Sequence, residues 1–266
     1  MWLYDYKARK WGVNMWERKE LKKRAKSVLK TNYAKAFLVS IVIALVGAGG
    51  GSSASNNNPR YSIVSNDSTY SNFTLLILAI GVVLLFAALR IFLGYPLEVG
   101  GRRYFVRSAQ YMDNKKCFRF SFYRQNYKGI LLTMLLKDVQ NILWFLLLII
   151  PGIVKGFAYS MVPYILADNP NIGCKKAIAL SNKMTDGHKF NMFVLGLSFI
   201  GWYLLGTLAL MVGVLFVLPY QNATYAELYL VLRNNLLDSN FCSNEDLSLK
   251  TINPNDEIFR ENQIIY

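Results

Sequence analysis

The sequence predicts an all-α protein, a polytopic membrane bundle of about six transmembrane helices arranged as three hairpins. The first observation is that long stretches lack charge: Leu75–Leu89 has no charged residue, and Phe190–Leu232 has only Glu227. The second is that 53% of the 266 residues are hydrophobic, and they are concentrated in such stretches. The third is that lysine and arginine are concentrated between the apolar stretches, as in the loops that set the orientation of membrane proteins.

Six apolar stretches are predicted to cross the membrane, together forming a transmembrane domain over residues 34–233. A single helix over Phe190–Leu232 would be about 60 Å long, roughly twice the hydrocarbon thickness, so it is divided near Gly206-Thr207. The predicted spans are Ala34–Gly49, Phe73–Tyr95, Gly129–Ile150, Ile153–Ala167, Phe190–Leu205 and Leu208–Leu232.

The segment before the first span, residues 1–33, holds ten basic residues. Within "ERKELKKRAKSVLK" the apolar side chains fall on one helical face and the lysines on the others. This pattern predicts an amphipathic helix that lies on the membrane surface and binds anionic lipid headgroups. The apolar face is formed by Leu21, Ala25, Val28 and Leu29, and the predicted interfacial anchors are Trp2, Trp11 and Trp16.

Basic residues predict the orientation, because loops rich in lysine and arginine stay in the cytoplasm. Residues 96–128 hold eight basic residues and residues 168–189 hold four, whereas residues 50–72 hold one. All basic segments lie on one side if the tight turns at Pro151-Gly152 and Gly206-Thr207 face the other. The sequence therefore predicts a multi-pass protein of the bacterial plasma membrane with both termini cytoplasmic.

Three prolines occupy related places, each on the second, inward-running helix of a predicted hairpin: Pro96, Pro163 and Pro219. Proline leaves a helical carbonyl without its N–H partner, so we expect kinks that face the protein interior. The alternative is that membrane helices tolerate proline and that the three arose independently. Pro151 and Gly152 are predicted to form the outer turn of the second hairpin.

The last segment, residues 234–266, has six acidic residues, two basic residues and many asparagines and serines. Such a composition buries little apolar surface, so it predicts a disordered cytoplasmic tail available to a partner.

Two groups of charged residues are candidate sites. Glu98, Arg102 and Arg103 in "YPLEVGGRRYFVR" suggest an anion or lipid-headgroup site, with Gly100-Gly101 allowing close approach; the alternative is a local ion pair in a basic cluster. A second set lies at membrane depth, where charges usually face the bundle interior or water, and suggests a polar cavity. The alternative is that these charged side chains reach water, either by extending to the membrane interface or because their helix lies in the interface. This second set is Arg90, Lys137, Asp138 and Glu227.

No hydrolytic, nucleotide-binding or metal-binding motif is found, and neither His188 nor the three cysteines have metal-ligand spacing. We therefore predict no cofactor, no metal and no enzymatic activity. The net charge of +14 is explained by the basic loops of a membrane protein, so we predict no binding of nucleic acid. The predicted function is a non-enzymatic module that binds a protein partner, a second copy or lipid at the cytoplasmic face. The alternative is a transporter or export factor for a small or lipid-like substrate.

Several segments resemble an uncharacterised family of bacterial integral membrane proteins, a domain of unknown function found widely in Gram-positive bacteria. They are "WERKELKKRAKSVLKTNYAKAFLVS", "YPLEVGGRRYFVR", "LWFLLLIIPGIVKGFAYSMVPYILADNP", "LSFIGW" and "PYQNATYAELY". More remotely, the arrangement is similar to the membrane domain of some glycerophosphodiester phosphodiesterases. The resemblance implies a helical membrane fold, a family start near Met15 and no catalytic residues.

Overall fold

The computed structural model describes residues 16–47, 68–208, 212–239 and 241–249. Within these ranges every regular element is helical, which confirms the predicted all-α class. A π-helical turn over Arg90–Gly94 joins the second helix to the third. The α-helices are α1 Arg18–Gly47, α2 Ser68–Leu89, α3 Tyr95–Ala109, α4 Cys117–Phe122, α5 Arg124–Leu147, α6 Ile149–Ala158, α7 Val162–Asp168, α8 Cys174–Met184, α9 Lys189–Leu208 and α10 Val212–Asp238.

Several helices are long and apolar enough to span a membrane, as expected for a membrane protein. Among the described residues four stretches qualify. A fifth qualifies if the two limbs of α1, Arg18–Lys30 and Tyr33–Ala44, form one span although the helix bends by 112° between them. The predicted sixth span, Leu208–Leu232, is not among them, and its residues 209–211 lie outside the described part of the chain. The four stretches are Leu76–Ala109, Arg124–Leu147, Ile149–Asp168 and Lys189–Thr207.

The described residues divide into a packed body and an exposed apolar layer. The body's core is formed by α3, α7, α8 and the second half of α10, where residues such as Phe105, Ile165 and Leu228 are fully buried. The exposed layer contains α2, whose side chains from Leu76 to Phe86 face outward, and the tip of α5 and α6, where Leu146 is 86% exposed. An apolar surface of this extent is unusual on a soluble monomer and typical of contact with lipid.

The first limb of α1, Arg18–Lys30, differs from the predicted interfacial helix. Its apolar face is the predicted one, but Leu21 and Ala25 are buried in the protein core against α10. Trp16 is also only 5% exposed and therefore packs inside the body rather than anchoring in lipid. Helical periodicity identifies the face that avoids water, but it does not distinguish burial by lipid from burial by protein. Trp2 and Trp11 lie outside the described residues.

The turn between α5 and α6 lies earlier than predicted. It is made by the extended residue Leu148, and Pro151 and Gly152 fall in the first turn of α6. Proline fits there because the first helical N–H groups have no intrahelical partner. The two helices run antiparallel and close together, since a Cβ at Gly152 would lie 2.7 Å from the ring of Phe145. A glycine is therefore needed for close packing at this position.

The three prolines have different local settings. Pro96 follows the π-helical turn at the start of α3, Pro163 follows a break at Tyr159–Met161, and Pro219 lies inside α10. The hydroxyl of Tyr127 donates to the Phe92 carbonyl, 2.9 Å away. Phe92 lies in the π-helical turn four residues before Pro96, where the N–H of Tyr95 bonds to the Arg90 carbonyl five residues back. A tyrosine of the neighbouring helix α5 thus bonds to the backbone beside Pro96, and the inward-facing kinks stay a prediction.

The C-terminal segment is ordered further than expected. Helix α10 continues to Asp238, and residues 241–249 pack on the body, with Leu247 fully buried. Asp246 pairs with Lys176 at 2.6 Å, and its backbone carbonyl accepts a hydrogen bond from Asn169. The expected disorder is therefore not found at residues 234–239 and 241–249, where Leu247 adds a buried apolar contact. Residues 250–266 lie outside the described part.

Candidate functional site

Two glycines position Arg102 by allowing helices to approach each other. A Cβ at Gly101 would lie 2.5 Å from Ile43 of α1, and one at Gly100 would lie 3.0 Å from the backbone of Phe118 in α4. The sequence suggested that these glycines admit a ligand. In the structure they admit neighbouring helices instead, and this packing fixes α3, and with it Arg102, in the centre of the body.

Glu98 is shared by two arginines. One of its carboxylate oxygens lies 3.2 Å from a guanidinium nitrogen of Arg90, and the other lies 3.9 Å from Nη2 of Arg102. Glu98 is itself buried. Because two guanidinium groups face one carboxylate, this cluster keeps an excess of one positive charge. Arg90 therefore has a buried partner and is not explained by snorkelling alone.

Arg102 also connects three other helices. Its Nη1 donates to the hydroxyl of Tyr164 on α7, 3.1 Å away, and to Oδ1 of Asn222 on α10, 2.8 Å away. The amide of Asn222 in turn donates to the hydroxyl of Ser40 on α1, at 3.1 Å. The guanidinium carbon also lies 5.2 Å from the ring centroid of Tyr164, within cation–π range. These contacts hold the guanidinium in one orientation.

A cavity of about 550 Å³ adjoins this network. Polar side chains line one part, including Arg102, Tyr164 and Asn222, and apolar side chains of α1, α5, α6 and α10 line the rest. Among the described residues that line it, Arg102 alone carries a formal charge. The side-chain oxygen of Asn141, another lining residue, is buried and has no hydrogen-bond partner among the described residues. The cavity thus combines a fixed cation, an unused polar group and apolar walls.

Arg103 does not belong to this site. Its guanidinium donates to the backbone carbonyl of Ala167 and lies 3.6 Å from the ring centroid of Phe120. Adjacent residues of a helix point about 100° apart, so Arg102 and Arg103 face different neighbours. The predicted trio is therefore divided: Glu98 and Arg102 share one cluster, and Arg103 joins α3 to α4 and α7.

The other predicted charged residues are not gathered around one cavity. Lys137 and Asp138 pair with each other at 3.0 Å, and Asp138 accepts a hydrogen bond of 2.7 Å from the hydroxyl of Tyr95. Glu227 is 6% exposed and interacts electrostatically with Arg24 and Glu20 of α1. These residues join helices to each other, and none of them lines the cavity beside Arg102.

One buried charged cluster was missed in the sequence. Asp168, at the end of α7, accepts a hydrogen bond from Arg233 at 2.9 Å and from the hydroxyl of Tyr229 at 2.7 Å. Asp168 follows an apolar stretch and was placed in a basic loop, so nothing nearby indicated its partner. The polar lining residues were also missed, although Ser40 and Asn222 lie within apolar stretches, where a polar side chain is a usable signal.

The described residues contain no group of three or more histidine, cysteine, aspartate or glutamate side chains placed to hold a metal ion. Burial raises the pKa of the thiols of Cys117 and Cys242, which favours their neutral form. Burial lowers the pKa of His188, which lies between α8 and α9.

One family comparison gives a match. The model of a family described as a protein of unknown function (DUF975) matches residues 142–236, from the end of α5 into α10. The match supports similarity to an uncharacterised family over about a third of the chain. It includes Tyr164 and Asn222 of the cavity but not Glu98 or Arg102. No curated protein and no solved structure matches the chain.

Proposed function

We propose that this chain is a multi-pass protein of the bacterial plasma membrane that binds lipid or a protein partner at its cytoplasmic face and catalyses no reaction. The observation that carries the proposal is the division into an exposed apolar layer and a charged, packed body. Lipid would cover the layer, whereas the body, with Glu98, Arg102 and Asp168, holds its charges in internal pairs. Binding to anionic headgroups fits the basic residues around it.

The proposed topology has about six crossings in three hairpins, with both chain ends in the cytoplasm. Two antiparallel helix pairs support it. Helices α5 and α6 meet at Gly152, and α9 and α10 approach closely where Gly206 lies against Gly213. The basic segments then lie on the side opposite these tips, as the positive-inside rule requires. The exposed side chains of α2 leave a surface for lipid, a partner helix or a second copy.

Cysteine labelling in intact cells tests the topology. The three native cysteines are replaced by serine, and one cysteine is introduced either at Tyr111, exposed between α3 and α4, or at Asn57 in the predicted outer loop. A membrane-impermeant maleimide is expected to label the Asn57→Cys variant in intact cells and the Tyr111→Cys variant only after permeabilisation. Labelling of Tyr111→Cys in intact cells would refute the proposed orientation.

A second candidate is a transporter or export factor for a small or lipid-like substrate. The cavity beside Arg102, next to the helix break at Tyr159–Met161, favours it, because breaks in membrane helices often lie at substrate sites. Reconstituted vesicles distinguish the two candidates. Saturable, substrate-specific flux that a cavity-filling variant abolishes would support transport, whereas retention of ligand without flux would support a binding module.

A further inference from the structure

We propose that the cavity beside Arg102 binds an anionic amphiphile, with its phosphate or carboxylate headgroup at Arg102 and its hydrocarbon tail extending into the surrounding lipid. The inference rests on the proposed membrane location and names the class of ligand. Three features of the cavity support it: its charge, its unused polar groups and its apolar opening.

The charge of the site favours an anion. Arg102 lines the cavity, and no aspartate or glutamate is among the described lining residues. Glu98 neutralises only one of two guanidinium groups, and its contact with Arg102 is the longer one, at 3.9 Å against 3.2 Å for Arg90. In an environment of low dielectric constant, such an excess charge attracts a headgroup of opposite sign.

The polar groups are held in place before a ligand arrives. Tyr164 and Asn222 bind Nη1 of Arg102, so the guanidinium is oriented, and its Nε is buried without a hydrogen-bond partner among the described residues. Asn141 adds a side-chain amide whose oxygen is buried without a partner. Rotation of that amide by a half turn presents its NH₂ group, a second donor for an anionic oxygen. A planar guanidinium with a nearby amide is suited to phosphate or carboxylate recognition.

The apolar walls indicate a tail. Ile43, Phe157 and Leu218 line the cavity beyond the polar part. Phe145 and Ile153, at the α5–α6 tip, also line it and are 42% and 45% exposed, so the cavity reaches the lipid-facing surface there. Ligand pockets usually measure about 300–1,000 Å³, so 550 Å³ admits a headgroup and the first carbons of a chain. The rest of the tail would lie against the exposed apolar layer.

Two glycines provide a matched pair of variants. Gly156 lines the cavity, and a Cβ there would meet only Asn141, at 3.7 Å, so a larger side chain can start there and would occupy part of the cavity. Gly201 is also helical and exposed, and a Cβ there would meet nothing within 4 Å. Gly156→Leu therefore fills the proposed site, and Gly201→Leu makes the same chemical change on the outer surface. Arg102→Gln and Arg102→Lys test the charge and the planar geometry.

Native mass spectrometry of the full chain in neutral detergent measures binding. The probes are dioleoyl phosphatidic acid, oleate, dioleoyl phosphatidylcholine and inorganic phosphate. We expect one molecule of phosphatidic acid or oleate to bind about tenfold or more tightly than phosphatidylcholine, because a charge-assisted hydrogen bond is gained. The comparison of phosphatidic acid with oleate identifies the headgroup. Inorganic phosphate should bind weakly, because it has no tail.

The variants decide the proposal. Gly156→Leu and Arg102→Gln should weaken anionic lipid binding about tenfold or more, Arg102→Lys less so, and Gly201→Leu should bind like the wild type. Equal binding of phosphatidylcholine, inorganic phosphate binding as tightly as lipid, or unchanged binding by Gly156→Leu would overturn it, as would equal losses in both leucine variants. If Arg102→Gln does not fold, the two leucine variants still decide.

The proposed function and the proposed ligand class can be refuted independently. If labelling places Tyr111 in the cytoplasm but no variant changes lipid binding, the ligand class is wrong and the membrane module stands. If Tyr111 is labelled from outside, the proposed function fails, whatever the lipid measurements show.

Discussion

Replacing Arg233 by methionine removes one partner of a buried ion pair and should strongly destabilise the body. The Arg233 side chain is 6% exposed, and its guanidinium lies 2.9 Å from the Asp168 carboxylate. The same carboxylate oxygen accepts a hydrogen bond of 2.7 Å from the hydroxyl of Tyr229. After the substitution the buried Asp168 carboxylate loses its closest cationic partner and keeps the hydrogen bond from Tyr229. Losing one partner of a buried pair costs about 3–5 kcal/mol, because the other charge stays desolvated.

The cost is large enough to measure as a thermal shift. For a domain of this size 1 kcal/mol corresponds to about 2–4 °C, so Arg233→Met should lower the unfolding midpoint by roughly 6–20 °C. The assay is the fraction of protein that elutes as a monodisperse peak in detergent after heating. Asp168→Asn combined with Arg233→Met leaves no isolated charge and should regain part of the loss.

The exposed pair of Lys176 with Asp246 supplies the matched control. Lys176 is half exposed, and exposed ion pairs contribute little, so Lys176→Met should change the midpoint far less. The reasoning would be refuted if Arg233→Met melted within about 2 °C of the wild type. It would also be refuted if the double variant were as unstable as the single one.

Three further predictions concern packing, helix breaks and pH. Gly129→Ala should lower the free energy of unfolding by about 1–3 kcal/mol, because its Cβ would overlap a backbone carbonyl. Gly81→Ala, where a Cβ meets nothing within 4 Å, should not destabilise the protein, and equal effects of the two variants would contradict the packing. Tyr127→Phe should lower the unfolding midpoint, because it removes the hydrogen bond to the Phe92 carbonyl, whereas Tyr111→Phe, at an exposed side chain, should not; equal midpoints would exclude this role. Since burial lowers the pKa of His188, the fold favours the neutral imidazole, and stability falls as the pH drops through about 6.5, the ordinary histidine pKa. Between about pH 8 and pH 5.5, the midpoint of the wild type should therefore fall more than that of His188→Gln, and equal falls would contradict the shift.

The N-terminal limb of α1 shows what helical periodicity can and cannot predict. The spacing of Leu21, Ala25, Val28 and Leu29 predicted a helix and its apolar face, and both agree with the structure. The partner of that face was not predicted, because the pattern is the same whether lipid or α10 covers it. In the C-terminal segment, by contrast, the local composition did not predict the structure. Its composition suggested disorder, but residues 241–249 lie against the body, with Leu247 fully buried.

The sequence by itself determined the helical class, the apolar stretches and the approximate position of the turn between α5 and α6, and it selected Glu98 and Arg102 as candidates. These follow from local composition and spacing, which act over a few residues. Only the tertiary structure decided that Arg102 meets Tyr164 and Asn222, 62 and 120 residues away, and that Arg103 does not join them. Contacts over such separations depend on how helices pack, and packing depends on the shapes of many side chains at once.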